Sequence, residues 1–177
     1  VSQREVSLDT KDYAAALRAA LRQSPDVIFV GELRDPESIS IAMTAAETGH
    51  LVLSTLHTWG ASNTIDRIVD GFPAEMQPQI RLQLSMVLQG VISQQLVPTA
   101  DGRLHPAFEI MVANPAVKTM IREAKTHQIQ SAMQTYSGQG MMTMETSLLD
   151  LYNKGIIDKD VAVARSFNPD AIKRRLG

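Results

Sequence analysis

The stretch Asp26-Val27-Ile28-Phe29-Val30-Gly31-Glu32-Leu33-Arg34-Asp35-Pro36 decides the reading of this chain. Four consecutive apolar residues, three of them Val or Ile, are bounded by Pro25-Asp26 and Gly31, which predicts a short strand buried on both faces. Asp35-Pro36 pairs a capping carboxylate with a proline at the first helical position, where its missing N–H is harmless, so a helix starts there. Its stripe is Ile39, Ala42, Met43 and Ala46, and Gly49 provides a left-handed stop. Leu51 to Leu56 reads as the next strand.

Working outward, Asp9 or Thr10 is expected to cap an earlier helix with the stripe Tyr13, Leu17, Ala20 and Leu21. Ile65, Ile68, Val69 and Phe72 mark a helix ending before Pro73. Ile80, Leu84, Val87, Leu88 and Val91 predict a longer one. Val91–Val97 and Leu104–Val112 flank Asp101-Gly102, a hairpin signal, with Pro98 and Pro106 placing the hairpin at an edge. Beyond it the pattern is helical: Asn114-Pro115 and Asn168-Pro169 each read as cap plus proline, and Gly155 follows the stripe Leu148, Leu151, Tyr152. The fold class is α/β: a parallel sheet with helical cover, an edge hairpin, then a C-terminal helical subdomain. We divide it as 1–113 and 114–177.

Composition narrows the function classes. With 177 residues, the chain is long enough for a sizeable core. Seventeen Lys and Arg against 19 Asp and Glu give a net charge of -2, which argues against nucleic-acid binding by bulk charge. Cysteine is absent, removing disulfides, cysteine zinc sites and thiol catalysis together. No apolar run reaches the ~18 to 20 residues of a membrane span.

Ligands of open α/β sheets sit beyond the carboxyl ends of the strands. The residues there are polar: Glu32, Arg34 and Asp35 after the first strand, Thr55, His57 and Thr58 at the end of the second, with Glu47 and His50 before it. A carboxylate after a buried strand can orient a water or join the outer shell of Mg²⁺, and an imidazole can hydrogen-bond a terminal phosphate. Taken singly, each has a structural alternative as a helix cap or a satisfied core group.

Taken together, Gln3-Arg4-Glu5-Val6, the Asp26–Asp35 segment, and Thr44-Ala-Ala-Glu-Thr-Gly-His50-Leu-Val-Leu-Ser-Thr-Leu-His57-Thr58 resemble the secretion-ATPase superfamily. The second segment is similar to its atypical Walker B motif, and the third to its histidine box. Thr64-Ile-Asp-Arg-Ile-Val-Asp70, Phe72-Pro73 and Ala116-Val-Lys-Thr-Met-Ile-Arg-Glu123 resemble the type IV pilus retraction ATPases, the octapeptide departing from that signature at Val117, Lys118, Thr119 and Met120.

The resemblance implies a partial RecA-like core and an ATP-hydrolysing, Mg²⁺-dependent motor of pilus retraction and twitching motility. Glu32 would be the Walker B carboxylate, acting on Mg²⁺ through water, and His57 the γ-phosphate-contacting histidine. His50 would support them, with Arg34, Asp35, Thr55 and Thr58 around the nucleotide. Lys118, Arg122 and Glu123 would form a coupling or subunit-interface face. Implied partners are a homohexamer and an inner-membrane pilus platform protein, with a cytoplasmic location at the inner face of the membrane, association with it only through the platform, and no nucleic acid. No Gly-x-x-x-x-Gly-Lys-[Ser/Thr] occurs among the ten glycines. The expectation is therefore a C-terminal half whose P-loop lies upstream, inactive by itself. Assembly and secretion motors of the superfamily carry a tetracysteine module, so retraction is favoured over that alternative. A non-catalytic interaction or folding module is the other. The Met141-Met142-Thr143-Met144 run reads as core filling rather than a groove.

Overall fold

A computed structural model describes residues 1–176. Two compact units result: Val1–His57 with Asp66–Leu88, and Thr58–Ile65 with the chain from Gln89 onward. The expected division at 113/114 falls inside the second unit.

In the first unit, α1 (Tyr13–Leu21), β1 (Val27–Val30), α2 (Pro36–Glu47), β2 (Leu51–Ser54) and α4 (Gln77–Val87) follow one another, and α3 (Ala61–Asp70) ends there. β1 and β2 pair in parallel from Val27↔Leu51 to Val30↔Ser54, with α2 as the crossover. Asp35 caps α2 as its sequence demands: Oδ1 accepts from Ser38 N at 2.8 Å and Oδ2 from the Ser38 hydroxyl at 2.9 Å. Gly49 ends the helix at φ +97°, a conformation that a Cβ would strain. Ile28 and Val30 meet Leu17 and Ala45, with Tyr13, Leu21, Leu33, Ile41 and Val52 around them.

Three expectations are corrected here. β1 is not buried on both faces: Ile28 and Val30 are covered, whereas Val27 and Phe29 are 52% and 69% exposed, beside exposed Leu51 and Leu53. The run of four apolar residues reflects two chemically similar faces, of which the described residues cover one. The cap of α1 is Asp12, whose Oδ1 accepts from Ala15 N at 2.7 Å. Asp9 instead accepts from Glu5 N at 2.9 Å within a turn. Finally, α4 stops at Val87 with Leu88 extended. Gly90 is a poor helix former, and β-branched Val91 and Ile92 pair with Met111 and Ile110 instead.

The second unit joins the hairpin to the C-terminal helices. β3 (Gly90–Pro98) and β4 (Leu104–Val112) are antiparallel, from Gly90↔Val112 to Pro98↔Leu104. The two prolines are tolerated because no second strand lies beside either of theirs among the described residues; the far side of β4 meets only an isolated bridge from Ile110 to Met142. α5 (Pro115–Arg122), α6 (Ile129–Thr135), α7 (Met144–Asn153), α8 (Lys159–Arg165) and α9 (Pro169–Leu176) follow. α7 packs on β4 and α8 on β3, enclosing Val97, Ala107, Met144, Leu148, Ile157, Ala162 and Ile172. Asn114 and Asn168 cap α5 and α9 through Val117 N and Ala171 N, both at 3.0 Å. Met141 and Met144 are buried, so the methionine run fills core as expected.

Candidate functional site

β1 and β2 are parallel and in register, so their carboxyl ends open at the same edge. Two hydrogen bonds tie the loops that follow: Leu33 N donates to Thr55 O at 3.1 Å, and Thr55 Oγ1 donates to Gly31 O at 2.5 Å. The frame brings Glu32 and His57, 25 residues apart, into contact, with Nε2 at 3.1 Å from Oε2. An ionised carboxylate only accepts, so His57 Nε2 carries the hydrogen. The other oxygen of Glu32 is ion-paired with Arg34 Nε. Glu32's side chain is 12% exposed and that of His57 88%, so the carboxylate is held while the imidazole is free to turn into solvent. One shielded carboxylate between a guanidinium and an imidazole N–H, at a strand-end edge, suits holding a water or an oxyanion-bearing ligand.

The remaining expected residues separate. Asp35 is committed to capping α2, and Thr55 to the loop tie. His50 precedes β2, at the other end of the sheet from His57. Its Nδ1 lies 3.0 Å from Ala45 O and 3.1 Å from Thr48 Oγ1, so it finishes α2 and does not join Glu32. Thr58 belongs to the second unit. Thr64 Oγ1 donates to Gly60 O at 2.8 Å, so the 2.7 Å contact between the two hydroxyls is donated by Thr58. On α5, Lys118 is half-buried, Arg122 donates to Thr119 Oγ1 at 3.2 Å, and Glu123 pairs with Lys125 at 2.7 Å. Val117 and Ile121 of α5 are buried, whereas Ala124 beyond its end is exposed and left-handed at φ 57°.

Mg²⁺ takes one or two carboxylates together with waters and substrate phosphates. Glu32 fits such an outer role. Among the described residues no group of three or more His, Asp or Glu gathers to hold a metal directly.

Sequence reasoning missed Glu109. It is 1% exposed and its Oε1 accepts from Ala61 N, the start of α3, at 2.8 Å. Burial pushes its carboxyl above the usual range, and the charge of Glu145 pushes the same way. The signal was available: along β4 the inward positions are Ala107, Glu109 and Met111, and a charge in that row is out of place. Trp59, 68% exposed, was also passed over.

A family model described as "Type II/IV secretion system protein" matches residues 3–165. The chain is 51% identical over 173 residues to a "Twitching motility protein" of Neisseria gonorrhoeae, covering 97% of this chain and 46% of that protein. It is 49% identical over 170 residues to the "Type IV pilus retractation ATPase PilT" of Pseudomonas aeruginosa, 96% and 49% of the two chains. Among solved structures it resembles "Crystal Structure of the Pilus Retraction Motor PilT and Bound ADP" with TM-score 0.90 and 49% identity, over 98% of this chain and 49% of that one. The chain thus spans about half the length of the curated relatives it matches.

Proposed function

The chain belongs to the type II/IV secretion system protein family, and from that premise we propose that it is the Walker B and histidine-box portion of an Mg-ATP-driven motor of type IV pilus retraction and twitching motility. The observation that carries this reading is the 3.1 Å contact of His57 with Glu32 at the carboxyl ends of two parallel strands. The relatives named for twitching and pilus retraction, each matched over nearly all of this chain, support it.

When bound with nucleotide, Mg²⁺ would neutralise charge on the phosphate oxygens. The chain's own residues do the rest. Glu32 Oε2 is the oxygen that accepts a hydrogen bond from the attacking water, which requires His57 to leave it. His57 is exposed enough to turn. In doing so it carries its Nε2–H toward the terminal phosphate. Water attacks phosphorus, the bond to the leaving ADP oxygen breaks, and ADP and phosphate result. Arg34 stays on the other oxygen of Glu32 and fixes the carboxylate plane. His50 supports the site only through the end of α2, while Asp35 and Thr55 hold its loops. Lys118, Arg122 and Glu123 on α5 lie in the other unit, away from these loops in sequence, and form the coupling face. We place the motor in the cytoplasm as a homohexamer working on an inner-membrane pilus platform protein. Among the described residues no helix is long and apolar enough to cross a membrane; the attachment we propose runs through that partner.

The test is made in the full-length parent. Glu32→Gln keeps the shape and removes the charge that positions water, so hydrolysis falls at least ~100-fold, the scale of general-base loss, while nucleotide still binds. His57→Ala falls less. Wild-type kcat in Glu32→Gln, measured by phosphate release, refutes the assignment.

A further inference from the structure

A pocket of about 370 Å³ opens in the second unit, lined among others by Trp59, Asn63, Glu109, Gln130, Ser166 and Phe167. None of them belongs to the strand-end edge. That size is at the low end for small-ligand pockets, right for a side-chain-sized group.

Its electrostatics are one-sided. Glu109 and Glu145 are both buried, at 1% and 4% exposure. Neutral donors satisfy Glu145 on both oxygens: Ser166 Oγ and Asn168 N at 3.0 Å on Oε1, and Gln130 Nε2 at 3.0 Å on Oε2. Glu109 is half satisfied. Oε1 accepts from Ala61 N, whereas buried Oε2 has no donor in hydrogen-bond geometry among the described residues, the Met144 N–H and the Gln130 amide being the nearby donors that favour its charge without completing a bond to it. A buried carboxylate oxygen left without a donor is costly. The close fit is built in at Gly60, where a Cβ would come within 3.2 Å of both Glu109 Oε1 and a Phe167 ring carbon.

The wall is aromatic. Trp59 lies over Phe167 with ring centroids 6.3 Å apart and planes tilted by 38°. Negative charge behind, aromatic faces beside and one unfilled acceptor together call for a cation with N–H donors. A divalent metal lacks a ligand set here, since no group of three candidate ligands is present among the described residues. A planar guanidinium stacks on aromatic faces and donates in a fork, which an ammonium does not.

We propose that this pocket binds a guanidinium group, which stacks against Trp59 and Phe167 and donates to Glu109 Oε2. Because Oε2 is covered, entry requires side chains of the lining to shift aside. The site is independent of the nucleotide reading.

Trp59 is the single tryptophan of the chain, so its emission reports on the pocket alone. The chain is titrated with methylguanidinium chloride, and separately with blocked Gly-Arg-Gly and Gly-Lys-Gly peptides, against equal ionic strength of NaCl. A saturable change with methylguanidinium or with the Arg peptide, weakened about tenfold or more in Glu109→Gln, is expected. A response to both means that a small free cation suffices, and a response to the Arg peptide alone means that the group comes from a protein side chain. Phe167→Leu, which leaves both carboxylates in place, weakens the same titration and serves if Glu109→Gln does not fold. A response equal to NaCl, equal for Lys and Arg peptides, or unchanged in whichever variant folds, overturns the proposal.

Discussion

Replacing Glu109 by Gln should change how stability depends on pH, and the structure gives the sign. Gln keeps a carbonyl oxygen where Oε1 now accepts from Ala61 N at 2.8 Å, but removes the buried charge. The folded-state pKa of Glu109 is raised by burial, then by the charge of Glu145. The native state therefore holds its proton at pH values where the unfolded chain has already lost it. The contribution of this group is fully present below the unfolded carboxyl pKa and is lost as pH rises through the folded one. Each unit of upward displacement corresponds to about 1.4 kcal/mol, which at a urea slope of ~1 to 3 kcal/mol/M moves the midpoint by about 0.5 to 1.4 M. Glu109→Gln removes that fall. The assay is urea unfolding followed by Trp59 fluorescence from pH 4.5 to 8, wild type against variant, so that titrating groups not coupled to Glu109 cancel in the difference. The wild-type midpoint should drop relative to the variant as pH rises. Parallel curves across the range would refute the claim that Glu109 is buried with an oxygen unsatisfied.

Three further outcomes follow from the same geometry. The chain by itself should release no phosphate from millimolar ATP above the buffer blank, because Glu32 and His57 adjust a phosphate that a P-loop must first hold; turnover in a malachite-green assay would show the site complete without one. Asp35→Ala removes two acceptor contacts to Ser38 and should destabilise the chain by about 1 kcal/mol, read from thermal or urea unfolding, as loss of a helix cap does. Phe29→Ser should alter stability by less than ~1 kcal/mol, since its side chain is on the open face of β1. A loss of 3 kcal/mol or more, the scale of Phe truncation in a core, would mean that the face is covered.

Sequence by itself determined those features whose causes lie within a few residues. Asp35-Pro36, Asn114-Pro115 and Asn168-Pro169 start helices because a side-chain oxygen meets an N–H three positions on, and Gly49 ends one because only glycine takes its φ without strain. The hairpin and the parallel pair were legible in the same way, and the position of His50 before its strand already set it apart from His57. Where such local signals compete, they were misread: Asp9, Thr10 and Asp12 are all plausible caps, and the chain's path from Ser7 to Thr10 chose Asp12. Tertiary structure alone decided which side of Val27–Val30 is covered, because two apolar faces are chemically alike until a helix lies on one of them. It alone brought Glu32 to His57 and Arg34, through loop ties between Gly31, Leu33 and Thr55. It also put Glu109 beneath the first turn of α3, 48 residues away in sequence. A carboxylate's burial and its missing donor depend on groups supplied from remote segments, and no periodicity along a single strand encodes which groups those are.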